Sequence, residues 1–194
     1  MTAQGRTRKH PQQEFSNMKK MQTVFVIDRA THRATNEVLA QWVVDGEGHA
    51  TIKHDGTACL VEDGMLFKRY DAKMGRSLPT GFKACEPQPD PVTGHWPGWV
   101  PVAADDPASK WHIEAFSRDL DNGTYELVGP KVQGNRYGLD RHQLWRHGRD
   151  EVEIDRTRDA IFEWLATHGE EGLVFHHPDG RMAKIRRKDF DLKW

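Results

Sequence analysis

The chain has 194 residues, of which 37% are hydrophobic and 29% charged, enough for one ordinary domain or two very small ones. No apolar run approaches the roughly 18 residues that a membrane-spanning helix needs, the N-terminus lacks the apolar stretch of a secretory signal, and two cysteines, Cys59 and Cys85, fit a reducing cytoplasm better than a disulfide scaffold. The 28 basic and 29 acidic residues leave a net charge of -1, which on its face argues against a nucleic-acid partner, although a total does not locate the charges.

Residues 1–20 are polar and aperiodic, with Arg6, Arg8, Lys9, Lys19 and Lys20 against Glu14 alone. They read as a flexible basic arm. Residues 21–194 read as one domain. Thr23 to Ile27 has the composition of a strand, and Trp42-Val43-Val44 closes a short segment before the turn Asp45-Gly46-Glu47-Gly48. Ala50 to Val61 holds two short strands. The second is joined through Glu62-Asp63-Gly64 to Met65–Tyr70 as a hairpin, Asp-Gly being the usual tight-turn pair.

Residues 86–107 concentrate prolines and glycines around Trp96 and Trp99 and predict an ordered surface loop. Strands are expected at Trp111–Phe116 and Thr124–Val128. A helix is expected over Asp155–His168, capped by Asp155 or Thr157, with Ile161, Trp164 and Leu165 inward and Gly169 as its stop. The chain closes in a second hairpin, Leu173–Phe175 turning through His177-Pro178-Asp179-Gly180 into Met182–Arg186. The fold class is α+β, rich in antiparallel sheet.

Four short segments carry chemistry. Lys53-His54-Asp55-Gly56 offers a lysine that could serve as a nucleophile if its amine loses a proton. Glu126 sits mid-strand in Tyr125-Glu126-Leu127-Val128, and Glu171 immediately precedes a buried-looking strand. In Lys184-Ile185-Arg186 a period of two places both cations on one face and Ile185 on the other. Each segment alone reads as an ordinary surface or edge-strand feature. The histidines and cysteines lack the paired short spacing of a zinc site, and His176-His177 reads as part of a turn with exposed imidazoles.

In order, Lys-x-Asp-Gly, a strand Glu, Glu-Gly-Leu-Val and Lys-x-Arg resemble the motifs of the covalent nucleotidyltransferases, the ATP-dependent RNA and DNA ligases and mRNA capping enzymes. The closer resemblance is to the RNA ligase 1 family. It is carried by Gly46–Thr57, Lys68-Arg69-Tyr70-Asp71, Tyr125–Pro130 with Gly134–Gly138, Trp145-Arg146-His147-Gly148 and Glu171–His176.

The resemblance implies an adenylyltransferase domain in which Lys53 attacks the α-phosphate of ATP to form lysyl-AMP. AMP then passes to an RNA 5′-phosphate, which is sealed to a 3′-hydroxyl in RNA repair. Lys184 and Arg186 would act with Lys53, supplying charge to the phosphates, although Arg186 departs from the commoner Lys-x-Lys and cannot serve as a proton donor near neutral pH. Glu126 and Glu171 would hold Mg2+, or Mn2+ in its place. Ile52, Asp55, Gly56 and Arg69 would bind the nucleotide, with Trp145 or His147 stacking on adenine. The expected setting is cytoplasmic, with ATP and RNA ends as partners, no membrane, no obligate protein partner and no separate C-terminal domain. The alternatives are a DNA or nick-sealing ligase and a non-catalytic nucleotide- or RNA-binding module.

Overall fold

A computed structural model describes residues 21–194, so the basic arm lies outside the described residues. In chain order the strands are β1 (Gln22–Thr23), β2 (Phe25–Ile27), β3 (Ala34–Val38), β4 (His49–Lys53), β5 (Thr57–Glu62), β6 (Met65–Lys73), β7 (Lys83–Ala84), β8 (His95–Pro101), β9 (Gly123–Val128), β10 (Gln143–Arg146), β11 (Glu151–Val152), β12 (Gly172–His176) and β13 (Met182–Arg186). Three α-helices, α1 (Gln41–Val44), α2 (Lys110–Ala115) and α3 (Arg158–Thr167), and three short 3-10 turns complete the described fold. The α+β reading, dominated by antiparallel pairing, agrees with this architecture.

Strands β2 and β3 form a separate pair, and two sheets hold the other eleven of the thirteen described strands. One runs β1-β13-β12-β4-β11 and the other β10-β9-β5-β6-β8-β7. The expected hairpins form: β5 pairs with β6, and β12 with β13, both antiparallel. What the local pattern does not reveal is that β4 and β5, separated by His54-Asp55-Gly56, belong to different sheets. The chain crosses from one sheet to the other immediately after Lys53.

The first sheet has two unlike faces. Its register aligns Ile52, Leu173 and Ile185 across β4, β12 and β13, and Ala50, Phe175 and Ala183 beside them. Apart from half-buried Ile52, these side chains join Ile161 and Leu165 of α3 and Val43 of α1 in one core. Period two sends the intervening residues, Lys53, Thr51, Lys184 and Arg186 among them, to the opposite face. Helix α3 is shorter than expected: Thr157 Oγ1 caps it by accepting from Ala160 N at 3.3 Å, and it ends at an extended His168 rather than at a left-handed glycine.

Two strand expectations are corrected. The 23–27 strand is interrupted at Val24, whose buried N–H crosses to Lys184 O at 3.0 Å; the short segment closed by Trp42-Val43-Val44 is the helical turn α1. Residues 111–116 are not a strand: Lys110–Ala115 is helical, following a 3-10 turn that Asp106 caps and Pro107 opens. Trp111 and Ala115, four apart on one helix face, pack on the core of β5 and β9.

The proline-rich stretch contains β8. Val102 N donates to Leu66 O while Pro97 O accepts from Cys85 N, so odd-numbered residues turn their backbone polar groups away from β6. Pro97 and Pro101 therefore remove no donor from the β6 ladder, and on their other side β7 spans only two residues.

The α3 contact supplies a large share of the core against the first sheet. Ile161→Ala, which empties a fully buried position, should lower unfolding free energy by about 2–5 kcal/mol. Glu163→Ala on the exposed side should change it by less than about 0.5 kcal/mol. Urea denaturation of the two variants measures both.

Candidate active site

The site face of the first sheet is ordered by its register. Lys53, Gly172 and Arg186 align across three strands, as do Thr51, Val174 and Lys184, and then His49, His176 and Met182. Gly172 allows this close alignment, since a Cβ there would lie 2.3 Å from Ile185 O. Glu171, one residue before β12, reaches back to ion-pair with Lys53 Nζ. Lys184 and Arg186 share the face while Ile185 is fully buried behind them. Strand β13 is no bare edge here, because β1 pairs with it at Ala183 and Lys184.

The second sheet brings Glu126. It is buried on β9, opposite Ala58 on one side and Trp145 on the other. Gly56 joins the two sheets at this point: a Cβ on it would meet Leu127 O at 2.2 Å and Glu126 Cγ at 2.8 Å. The loop after Lys53 is thereby pressed onto the strand carrying Glu126, and only glycine leaves room for that approach.

The electrostatics follow from half-burial. Loss of solvent raises the Glu171 pKa despite the neighbouring Lys53, with Asp55 and Glu126 adding to the rise. Burial, together with Arg186 and Lys53, brings Lys184 down to about 8. Arg186 is bound by Asp189 at 3.2 Å through Nε and 2.9 Å through Nη2, so a two-pronged phosphate contact through those atoms is closed as the side chain stands. Asp55 accepts from Trp194 Nε1 at 2.7 Å, lies 3.8 Å from Arg136 Nε, and donates its backbone N–H to Tyr137 Oη at 2.7 Å.

Ile52 is half-buried on β4 and donates its N–H to Asp150 O. Arg69 donates to Cys85 Sγ at 3.3 Å and lies 5.1 Å over the buried Trp99 ring, on the β6 side of the second sheet. Trp145 packs against His54, Tyr137 and Arg149, at centroid distances of 4.9, 4.7 and 5.1 Å. His147 Nε2 donates to Glu126 Oε2 at 2.7 Å. Both aromatic candidates are thus engaged by protein groups, Trp145 by His54 and Tyr137 and His147 by Glu126.

Several residues of this region escaped sequence reasoning. His176 is not in the turn: it lies on β12, stacks on His49 at 5.0 Å and bonds Thr51 Oγ1 at 2.9 Å. Burial, reinforced by His49 and His147, takes its pKa down to about 4. Its parity with Gly172 and Val174 was the available signal. His54, Tyr137 and Asp150 are brought together only by the tertiary fold. A hollow of about 450 Å³ lined by Val44, Ala50, Val152, Ile154 and Arg156 among others includes neither Lys53 nor the two glutamates.

Among the described residues no group of three or more His, Cys, Asp or Glu could hold a metal ion by itself. One buried and one half-buried carboxylate beside three cations suit a hard ion completed by water and phosphate oxygens rather than a protein cage. The raised pKa of Glu171 fits that donor set, because a divalent cation would favour its ionised form.

No family model matches the chain. It is similar to curated proteins named RNA ligase 1: 32% identical over 146 residues to that of Danio rerio, 30% over 145 residues to that of Rattus norvegicus and 28% over 144 residues to that of Pongo abelii. Each match takes in 56% of this chain and 44% of the relative's length. The comparison supports a relation at the family level to proteins of that name. No helix among the described residues is long and apolar enough to cross a membrane.

The depressed Lys184 pKa has a signed consequence. Below about 8 the folded chain carries a half-buried ammonium at a cost; between about 8 and the ordinary 10.5 the folded form sheds its proton while the unfolded form keeps it. Stability contributed at this position therefore rises with pH across that window. Lys184→Met should be more stable than the parent chain at pH 7, and the gap should narrow as the pH approaches 10, measured by urea denaturation at each pH.

Proposed function

We propose that the chain acts as an ATP-dependent RNA ligase, using Lys53 as its nucleophile. The observation that carries this reading is the convergence of Lys53, Glu171, Lys184 and Arg186 on one sheet face, with Glu126 pressed against the loop that follows Lys53. The likeness to proteins named RNA ligase 1 supports the substrate class.

In the first transfer the Lys53–Glu171 ion pair opens and Nζ gives one proton to solvent. The nitrogen bonds to the α-phosphorus of ATP as the bond to the pyrophosphate oxygen breaks, and it then releases a second proton to solvent to leave the phosphoramidate. Lys184 and Arg186 stabilise charge on the phosphate oxygens, Lys184 as a mobile ammonium and Arg186 in the orientation that Asp189 imposes. Glu126, oriented by His147, and Glu171 would hold Mg2+, which supplies Lewis-acid stabilisation of the phosphates when bound. Asp55 braces the loop through Tyr137 and Trp194, and Gly56 lets that loop close on Glu126. In the second transfer an RNA 5′-phosphate oxygen displaces Lys53 from the adenylyl phosphorus. In the third, a 3′-hydroxyl attacks the activated 5′-phosphate and AMP departs.

Incubation with α-labelled ATP and Mg2+ should leave label on the denatured parent chain and none on Lys53→Ala. Labelled GTP should transfer poorly by comparison. Single-stranded RNA with a 5′-phosphate should be joined in preference to nicked duplex or DNA. An unlabelled parent chain would contradict ligase chemistry, whereas labelling without joining of any strand would favour a chain that activates nucleotide without sealing nucleic acid.

A further inference from the structure

We infer that His54 and Asp150 form a positioning device for the Lys53 amine; the inference rests on the reading of Lys53 as the nucleophile. Lys53 is the last residue of β4, and its flexible four-carbon stem can deliver Nζ to one place only if the backbone beneath it is held. Asp150 holds that backbone from both sides. Its carbonyl accepts from Ile52 N at 2.9 Å, and its carboxylate lies 2.9 Å from His54 Nε2. The two residues flanking the nucleophile are thus tied to one and the same partner.

The polarity of this arrangement is determined by chemistry. An ionised carboxylate only accepts, so Nε2 carries the imidazole proton and the buried Nδ1 is the bare nitrogen. Nδ1 has no hydrogen-bond partner among the described residues. Burial outweighs Asp150 and lowers the His54 pKa, which favours the neutral ring. The ring stands edge-on to Tyr137 at 5.9 Å and to Trp145 at 4.9 Å. Arg149 secures the Asp150 carboxylate at 3.0 Å and lies 5.1 Å over Trp145, so the acceptor is fixed as well as the donor.

Tyr137 then links this device to the next residue, since its hydroxyl accepts from Asp55 N while its ring packs on His54. Residues 52, 54 and 55 are all anchored, and the Lys53 side chain between them reaches Glu171 on the site face. His54 and Asp150 act through Lys53 rather than on substrate. Their loss should therefore lower the rate of the chemical step more than the affinity for ATP, since a misplacement of about 1 Å can cost on the order of 100-fold.

The test measures lysyl-AMP formation by the full chain as a function of ATP concentration, with thermal unfolding alongside. His54→Leu, which preserves bulk and removes the donor, should reduce the maximal rate about tenfold or more, with half-saturating ATP changed less than about threefold. His54→Gln, which can offer a side-chain N–H at a similar reach, should recover the rate to within about threefold of the parent chain. Asp150→Ala, which keeps the backbone carbonyl, should reproduce the Leu defect, and the double variant should be no slower than the slower single one. If His54→Leu does not fold, Asp150→Ala carries the comparison. A parent-like rate in Asp150→Ala, a Gln variant as slow as the Leu variant, or multiplicative effects in the double variant would overturn the positioning role while leaving Lys53 as the nucleophile. A parent chain that forms no lysyl-AMP would instead overturn the reading on which the inference rests.

Discussion

The alternation of side chains across β4, β12 and β13 is the constraint on which the rest of the arrangement depends. In one register, Leu173 and Ile185 line up in the core that α3 covers, with half-buried Ile52 in line beside them, and Lys53, Gly172 and Arg186 line up on the other face. A slip of one residue would put two cations into the core and three apolar side chains into the site. Hydrophobic burial against Ile161 and Leu165 therefore does more than stabilise the sheet. It fixes which face receives the charges, and with them the position of the Lys53 side chain.

Concentrating charge on that face has an energetic consequence that the residues divide among themselves. Lys53 and Glu171 neutralise each other directly, Arg186 is matched by the buried Asp189, and Glu126 accepts a hydrogen bond from His147. Lys184 has no such carboxylate within ion-pairing distance among the described residues, and its pKa falls accordingly. A cation left in this condition is the one most strongly relieved by an incoming phosphate, since desolvation has already been incurred in the resting fold. The second sheet contributes the complementary constraint. Gly56 permits contact with Glu126, so the crossing between sheets is short and Glu126 lies near enough to raise the Glu171 pKa.

Much of this was legible in the residues. The period-two pattern of 182–186 predicts that Lys184 and Arg186 face together with Ile185 behind them, and the hairpins at 57–70 and 173–186 follow from their turns. The helix at 158–167 is announced by its cap and apolar spacing. Other features were hidden for physical reasons. Trp111–Phe116 alternates well enough to read as a strand, while the Asp106-Pro107 start signal sat in a stretch whose prolines suggested a loop. Strand β8 tolerates Pro97 and Pro101 because their missing donors point away from β6, which depends on tertiary pairing. Nothing local distinguishes β4 from β5 as members of different sheets. The contacts of His54 with Asp150 and of Glu126 with His147 join residues distant in the chain, so their roles emerge only once the strands are placed.

Peptide mapping by mass spectrometry tests the proposal that this face presents the Lys53 amine to a nucleotide phosphorus. After incubation with ATP and Mg2+, the chain should gain the mass of a single adenylyl group on the peptide bearing Lys53, through a phosphorus–nitrogen bond that acid cleaves. No added adenylyl group, or one attached to any residue other than Lys53, would contradict it.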